Sequence, residues 1–228
     1  MNFSPLWLSL KVAGTATFIV LIIGLPLARW MARRQFYGKT VVESIIMLPM
    51  VLPPTVVGFA LLYLFGKNGW IGSWLWETFG FQIVFTWIGA VLAAIVVSFP
   101  LMYQSTVAAF QKYDVNVEHA AYTMGASRWK VFWTLSMPLA WPGLLAGLIL
   151  SFARSLGEFG ATLMIAGYIP NKTDTIPLTI YFAVEAGDKE TATIWVLIIL
   201  TLGFSAVFWL NWWSKRNVFA FTTGKKDT

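Results

Sequence analysis

Residues 118–138 read EHAAYTMGASRWKVFWTLSMP. Most of the surrounding chain is oily, but this stretch holds an acid, the chain's one histidine, the Ala120-Ala121 pair, then Gly125 and Ala126, and it closes on Pro138 at the mouth of the next apolar run. Glu118, Ala121 and Gly125 follow i, i+3, i+7 spacing, so on a helix they share one face. Alanine and glycine leave that face flat enough to admit a partner's side chains. Ser127 is placed to cap a second short helix, in which Trp129, Phe132 and Trp133 form an apolar stripe. An ordinary interfacial helix accounts for the aromatics but not for the small-residue face. The stretch therefore reads as a wet docking segment.

The rest of the composition says what that segment interrupts. Of 228 residues 58% are hydrophobic and only 11% charged, against about 25% charged in soluble domains, so most of the surface faces lipid. A net charge of +6 would suggest nucleic acid in a soluble domain, but here the cations sit in the joints between apolar runs, where they set topology. Nucleic acid is not expected as a partner. The absence of cysteine excludes disulfides and thiolate sites, and His119 alone builds no metal centre.

Charge-free windows long enough to cross, about 20 residues at 1.5 Å each, place five transmembrane helices at about 6–28, 42–66, 84–103, 138–160 and 191–213, with a long polar loop at 104–137 that carries the docking segment. The fold class is thus an all-α integral membrane protein with a single transmembrane domain over 1–228. Arg29, Arg33, Arg34, Lys39, Lys112, Arg128, Lys130 and the tail cations Lys215, Arg216, Lys225 and Lys226 fall on one side. Lys11, Lys67, Lys172 and Lys189 fall on the other. Basic residues stay inside, so the N-terminus is outside and the C-terminus cytoplasmic. The segment at 176–188 is too short to span and reads as a short helix on the outer face.

Within the spans, Pro49, Pro53 and Pro54 lie in LPMVLPPTVVG. Proline removes a donor and clashes with the preceding turn, and irregular backbone at depth needs protein or water around it. Pro53, Pro54 and Thr55 are therefore candidates to line a path. Arg154 and Glu158 in ARSLGEFGAT are one helical turn apart and can pair. Arg154 lies roughly 24 Å up the helix from Pro138. Either the pair is a self-satisfied salt bridge, or Arg154 attracts an anion with Glu158 holding its rotamer. Ser98 and Ser155 add hydroxyls. Gly143 and Gly147 have GxxxG spacing, which permits close approach without choosing the partner. No enzymatic signature is present: Gly38-Lys39-Thr40 lacks the upstream glycine of a phosphate-binding loop. A catalytic role is not expected, so whatever energy the protein uses comes from a partner or from an ion gradient.

The docking segment resembles the coupling loop of ABC-importer permeases, whose motif is Glu-Ala-Ala, three residues, Gly, nine residues, a branched apolar residue, one residue and Leu-Pro. Ala120, Ala121, Gly125, Leu135 and Pro138 fall in register, with Met137 in the Leu slot. His119 occupies the Glu slot and the acid, Glu118, stands one position earlier. MLPMVLPPTVVG and FARSLGEFGAT resemble the oxyanion branch of that family, and YIPNKTDTIPLTIY most resembles the molybdate permeases, with tungstate and sulfate as alternatives. The resemblance implies a type I permease fold with cytoplasmic coupling helices, in the cytoplasmic (inner) membrane of a bacterium or archaeon. It implies a homodimer of this subunit, a pair of cytoplasmic ABC ATPase subunits that use ATP and Mg, and an extracytoplasmic molybdate-binding protein. No cofactor is then expected on this subunit, and Glu118, His119, Ala120, Ala121, Gly125, Ala126 and Pro138 carry the ATPase contact. A gradient-driven secondary transporter is a poorer fit, because those folds show repeated halves and midplane acids. A membrane scaffold would leave the proline break without a role.

Overall fold

The computed structural model describes residues 3–223; the tail cations Lys225 and Lys226 lie outside them. Helix α1, Ser4–Arg33, opens with Pro5 in its first turn, where a missing N–H costs nothing. It is followed by α2, Lys39–Val51, α3, Pro54–Phe65, and α4, Trp70–Phe79. Helix α5, Trp87–Lys112, starts at Thr86, whose Oγ1 accepts from Gly89 N. Then come α6, Asn116–Thr123, α7, Arg128–Val131, a π-helical turn at Phe132–Ser136, and α8, Met137–Leu156. The chain ends with α9, Gly160–Ala166, α10, Ile176–Glu185, and α11, Lys189–Thr223.

The core is α1 and α5, with α8 laid against both. Small side chains make that approach possible: Ala13, Ala16 and Ala28 of α1 and Ala90, Ala93 and Ala94 of α5 are fully buried. On α8 a Cβ at Gly143 would lie 2.6 Å from Ala109 Cβ, and one at Gly147 would lie 3.0 Å from Met102 Sδ. The glycine pair that sequence left without a partner thus seats α8 on α5, by the close backbone packing that lipid-embedded helices favour.

Among the described residues four helices, α1, α5, the α7–α8 run and α11, are long and apolar enough to cross a membrane, and α2 with α3 makes a fifth element bent by 112°. The second span at 42–66 is therefore not one rod. Its backbone leaves the helical region at Leu52 and Pro53 (ψ 141° and 136°), because a residue before proline is pushed to extended geometry.

Other expected boundaries also move. Helix α5 runs on past 103 to Lys112, since a charge-free window measures oil and a helix can continue into water. The coupling loop expected at 104–137 is mostly helix. The second short helix expected after Ser127 is continuous with α8: Met137 N donates to Phe132 O, five residues back. That π-helical turn precedes Pro138, which cannot donate and would crowd an α-helical turn. At the far end the fourth span, expected to reach 160, stops at Leu156 and restarts at Gly160.

Candidate functional site

The basic ends of α1, α5 and α7 gather at one pole of the bundle, with α6 among them. Helix α6 starts where Asp114 Oδ1 accepts from Asn116 N at 2.9 Å. It stops in a Schellman turn: Gly125 N donates to Tyr122 O at 3.0 Å and Ala126 N to Ala121 O at 3.1 Å, with Gly125 at φ +84°. Only glycine adopts that conformation without strain, and no atom lies within 4 Å of where its Cβ would be. Gly125 is therefore required by the helix stop. Because α6 ends before it, Glu118, Ala121 and Gly125 do not form the shared flat face that their spacing suggests. Ser127 Oγ accepts from Lys130 N at 3.3 Å and caps α7.

Glu118 points inward, only 5% exposed. Tyr113 Oη and Ser136 Oγ (2.7 Å) donate to its Oε1, and Arg33 Nη2 donates to the same oxygen at 3.3 Å. Arg29 Nη2 stands 4.0 Å from Oε2. The arginines are held in turn by aromatic faces, Arg29 over Phe132 at 4.4 Å and Arg33 over Tyr113 at 4.5 Å, a geometry suited to guanidinium. Burial pushes the Glu118 carboxyl up, but the bonds from Tyr113 and Ser136 and the charges of Arg33 and Arg29 outweigh it and hold it below its ordinary value. Burial and then the bond to Glu118 raise the Tyr113 phenol. One carboxylate thus fastens the docking segment to α1, to the end of α5 and to the start of the α8 run. Glu118 faces its own bundle, and the surface left for a partner is His119, Ala120, Gly125, Met124 at 88% exposure and Trp129 at 72%. Ala121 and Ala126 are half-buried and Pro138 is exposed one turn up α8. Sequence reading missed Arg29, Arg33, Tyr113 and Ser136 as partners of Glu118; the readable signal was an acid set among the cations of the most basic region of an oily chain.

The two helix breaks meet deeper in the bundle. Gly58 of α3 faces Ala161 of α9 so closely that a Cβ would lie 2.7 Å from Ala161 Cα, and Gly160 lies against Pro54 and Thr55. Glu158 sits in the α8–α9 break, its side chain 2% exposed. Its Oε1 accepts from Ala161 N at 2.9 Å, and Oε2 pairs with Arg154 Nη1 at 2.7 Å. The pair that sequence placed along one helix face instead joins the end of α8 to the start of α9, with Arg154 a third exposed. Pro53, Pro54 and Thr55 are exposed, Ser155 is buried, and Ser98 is fully buried on α5, its carbonyl accepting from Ser151 Oγ at 3.4 Å. The breaks thus bring Pro54, Thr55, Arg154 and Glu158 into one region but leave Ser98 inside the α5–α8 contact.

Residues 24–218 match the family described as binding-protein-dependent transport system inner membrane component. The chain belongs to that family. This permease is 50% identical over 209 residues to YvgM of Bacillus subtilis (strain 168), covering 92% of each chain. It is 42% identical over 217 residues to the molybdenum transport system permease protein ModB of Haemophilus influenzae, covering 95% of each. Among solved structures it resembles the inward-facing MetNI methionine ABC transporter, with a TM-score of 0.70 over 93% of this chain and 94% of that one, at 15% identity. That likeness gives the fold, the type I permease of ABC importers. The permease is a multi-pass inner-membrane protein and a transport component.

Proposed function

We propose that this chain is the membrane-spanning subunit of an ATP-driven molybdate importer, non-catalytic itself, that moves the oxyanion by alternating access at the interface of a homodimer. The observation that carries this reading is the Glu118 latch: a short exposed helix pair at the basic pole, bonded through one carboxylate to the helices that form the bundle. A cytoplasmic ABC ATPase, in two copies, docks on His119, Ala120, Met124, Gly125 and Trp129, and its ATP- and Mg-dependent closure reaches the bundle through Glu118 and the continuous α7–α8 run. The paired breaks, α2 to α3 and α8 to α9, are the elements such a push would move. The exposed apolar faces of α2 and α3, including Ile45, Val51 and Phe59, suit a second copy and lipid. An extracytoplasmic molybdate-binding protein delivers the anion, and the permease needs no tight site of its own, since an anion held too firmly would not leave. The ModB resemblance in sequence supports molybdate as the cargo.

The test is uptake into proteoliposomes holding the permease, a matching ATPase and binding protein, with labelled molybdate and competing tungstate or sulfate. Uptake that requires ATP and is competed better by tungstate than by sulfate is expected. Uptake driven by a proton or sodium gradient without ATP overturns the reading.

A further inference from the structure

At the pole opposite the Glu118 latch, the start of α1, the start of α5 and the turn after α9 enclose a pocket of about 440 Å³, lined among others by Ser4, Trp7, Lys11, Thr86, Trp87 and Lys172. We propose that it binds a phosphate-class oxyanion, and that its natural occupant is the headgroup phosphate of an anionic membrane phospholipid.

Two of the four cations on the outer side, Lys11 and Lys172, reach this one pocket from widely separated parts of the sequence. Among the described residues neither has an ion-pair partner; the Lys11 ammonium instead lies 3.7 Å from the centroid of the Trp87 ring. Lys11 is also the one charge within the first span, and such a lysine extends its stem along apolar surface to bring its ammonium to the boundary. Two lysines that line one cavity with no acid paired to either call for a counter-anion, and lysine binds phosphate as a point charge.

The walls are fixed without any ligand. The Lys172 turn is tied by Lys172 N and Thr173 N donating to Ile169 O (3.0 and 2.9 Å), and by Thr173 Oγ1 donating to Gly167 O at 2.9 Å. That turn is tied to α1 where Ile176 N donates to Ser9 Oγ at 2.8 Å. Behind the pocket, Ser4 Oγ donates to buried Asp174 Oδ1 at 3.0 Å. One carboxylate so close offsets part of the two ammonium charges, which favours a singly charged phosphodiester over a doubly charged free oxyanion. The rim points the same way: Trp7 is 69% exposed, and tryptophan gathers at headgroup level. The site is separate from the proposed translocation path and does not depend on the cargo.

The experiment is native mass spectrometry of the full chain in its complex, released from nanodiscs containing phosphatidylglycerol and phosphatidylcholine. A parallel arm titrates phosphate and molybdate onto delipidated complex. Wild type should retain phosphatidylglycerol preferentially, and the Lys11→Gln/Lys172→Gln double variant should lose that retention by about tenfold or more. Lys11→Arg/Lys172→Arg should keep it. If the double variant fails to assemble, Lys172→Gln alone serves, because the turn is tied by backbone and Thr173. Lysine-dependent binding of free phosphate or molybdate, without lipid preference, keeps the oxyanion site but places its source in solution. Unchanged lipid retention in the glutamine variant, or no lysine-dependent binding in either arm, overturns the proposal.

Discussion

Replacing Glu118 by alanine removes the group on which four elements converge. It deletes the acceptor of Tyr113, Ser136 and Arg33. Ser136 is fully buried and keeps only a long 3.5 Å contact to Val131 O, and a buried donor left so poorly met costs about 1–3 kcal/mol. The two arginines also lose their counter-charge. Stranding a fully buried charge costs about 3–5 kcal/mol, but the Arg29 and Arg33 side chains are 22% and 21% exposed, so water recovers part of that. About 3 kcal/mol is the working figure for Glu118→Ala. Glu118→Gln keeps one acceptor oxygen for Tyr113, Ser136 and Arg33 but loses the charge and turns an NH2 donor toward Arg29, so about 1–2 kcal/mol is expected. At 1.4 kcal/mol per factor of ten, the local opening of α6 and α7 should rise about a hundredfold in the alanine variant and about tenfold in the glutamine variant. Hydrogen exchange of residues 116–131 in the nanodisc complex reads the opening, and molybdate uptake per ATP hydrolysed reads its consequence. Exchange should rise in that order while ATP hydrolysis continues with less uptake. Unchanged exchange and unchanged uptake per ATP in Glu118→Ala would refute the latch.

The same carboxylate predicts a pH dependence. Its folded pKa is depressed, so its stabilisation is present above the ordinary carboxylate value, about 4.3, and is lost as pH falls through the lower folded value. Exchange of α6, corrected for intrinsic rate, should be flat near neutrality and rise only on strong acidification; a midpoint near pH 6 would contradict the assignment. Gly125→Val should cost about 1–2 kcal/mol through its left-handed backbone alone, and Gly125→Asn less, read as thermal stability and ATPase co-purification; equal effects of the two would remove the backbone explanation. Gly58→Leu drives a side chain into Ala161 and Met164 and should cost about 1–3 kcal/mol while separating α3 from α9, measurable as lost assembly. Arg154→Gln leaves the Glu158 carboxylate buried without its cation, so stability should fall by about 3 kcal/mol, with folded yield and transport falling together. Transport lost at full yield would instead place Arg154 on the anion's route.

What sequence could reveal here follows from which physics is local. Charge-free runs and basic joints are sums over many residues, so the crossings, the basic pole and the Pro53-Pro54 break were readable. The cap at Ser127 needs only three neighbouring residues, and it too was readable. The direction of Glu118 was not, because it depends on Arg29 and Arg33 of a distant helix, and a spacing rule treats every acid on an exposed helix as facing water. The second role of Gly125 was hidden for a similar reason: its spacing matches a docking stripe, while its φ is set by a helix stop that the letters alone do not reveal. The Arg154–Glu158 pairing was legible at one helical turn, but the break at Gly157 that turns Glu158 into a cap for α9 was not, because one glycine between two pairable charges reads equally well as continuous helix. Gly143 and Gly147 announced close packing, and only the fold supplied α5 as the neighbour.

The most direct measurement uses the absence of cysteine in the chain. A single Met124→Cys substitution, on the exposed tip of the α6–α7 segment, should be blocked from a membrane-impermeant thiol reagent added outside cells, react when the reagent reaches the cytoplasm, and crosslink to the ATPase subunit in a way that changes when ATP is trapped. Labelling from outside, or a crosslink indifferent to nucleotide, would contradict the coupling role on which the account rests.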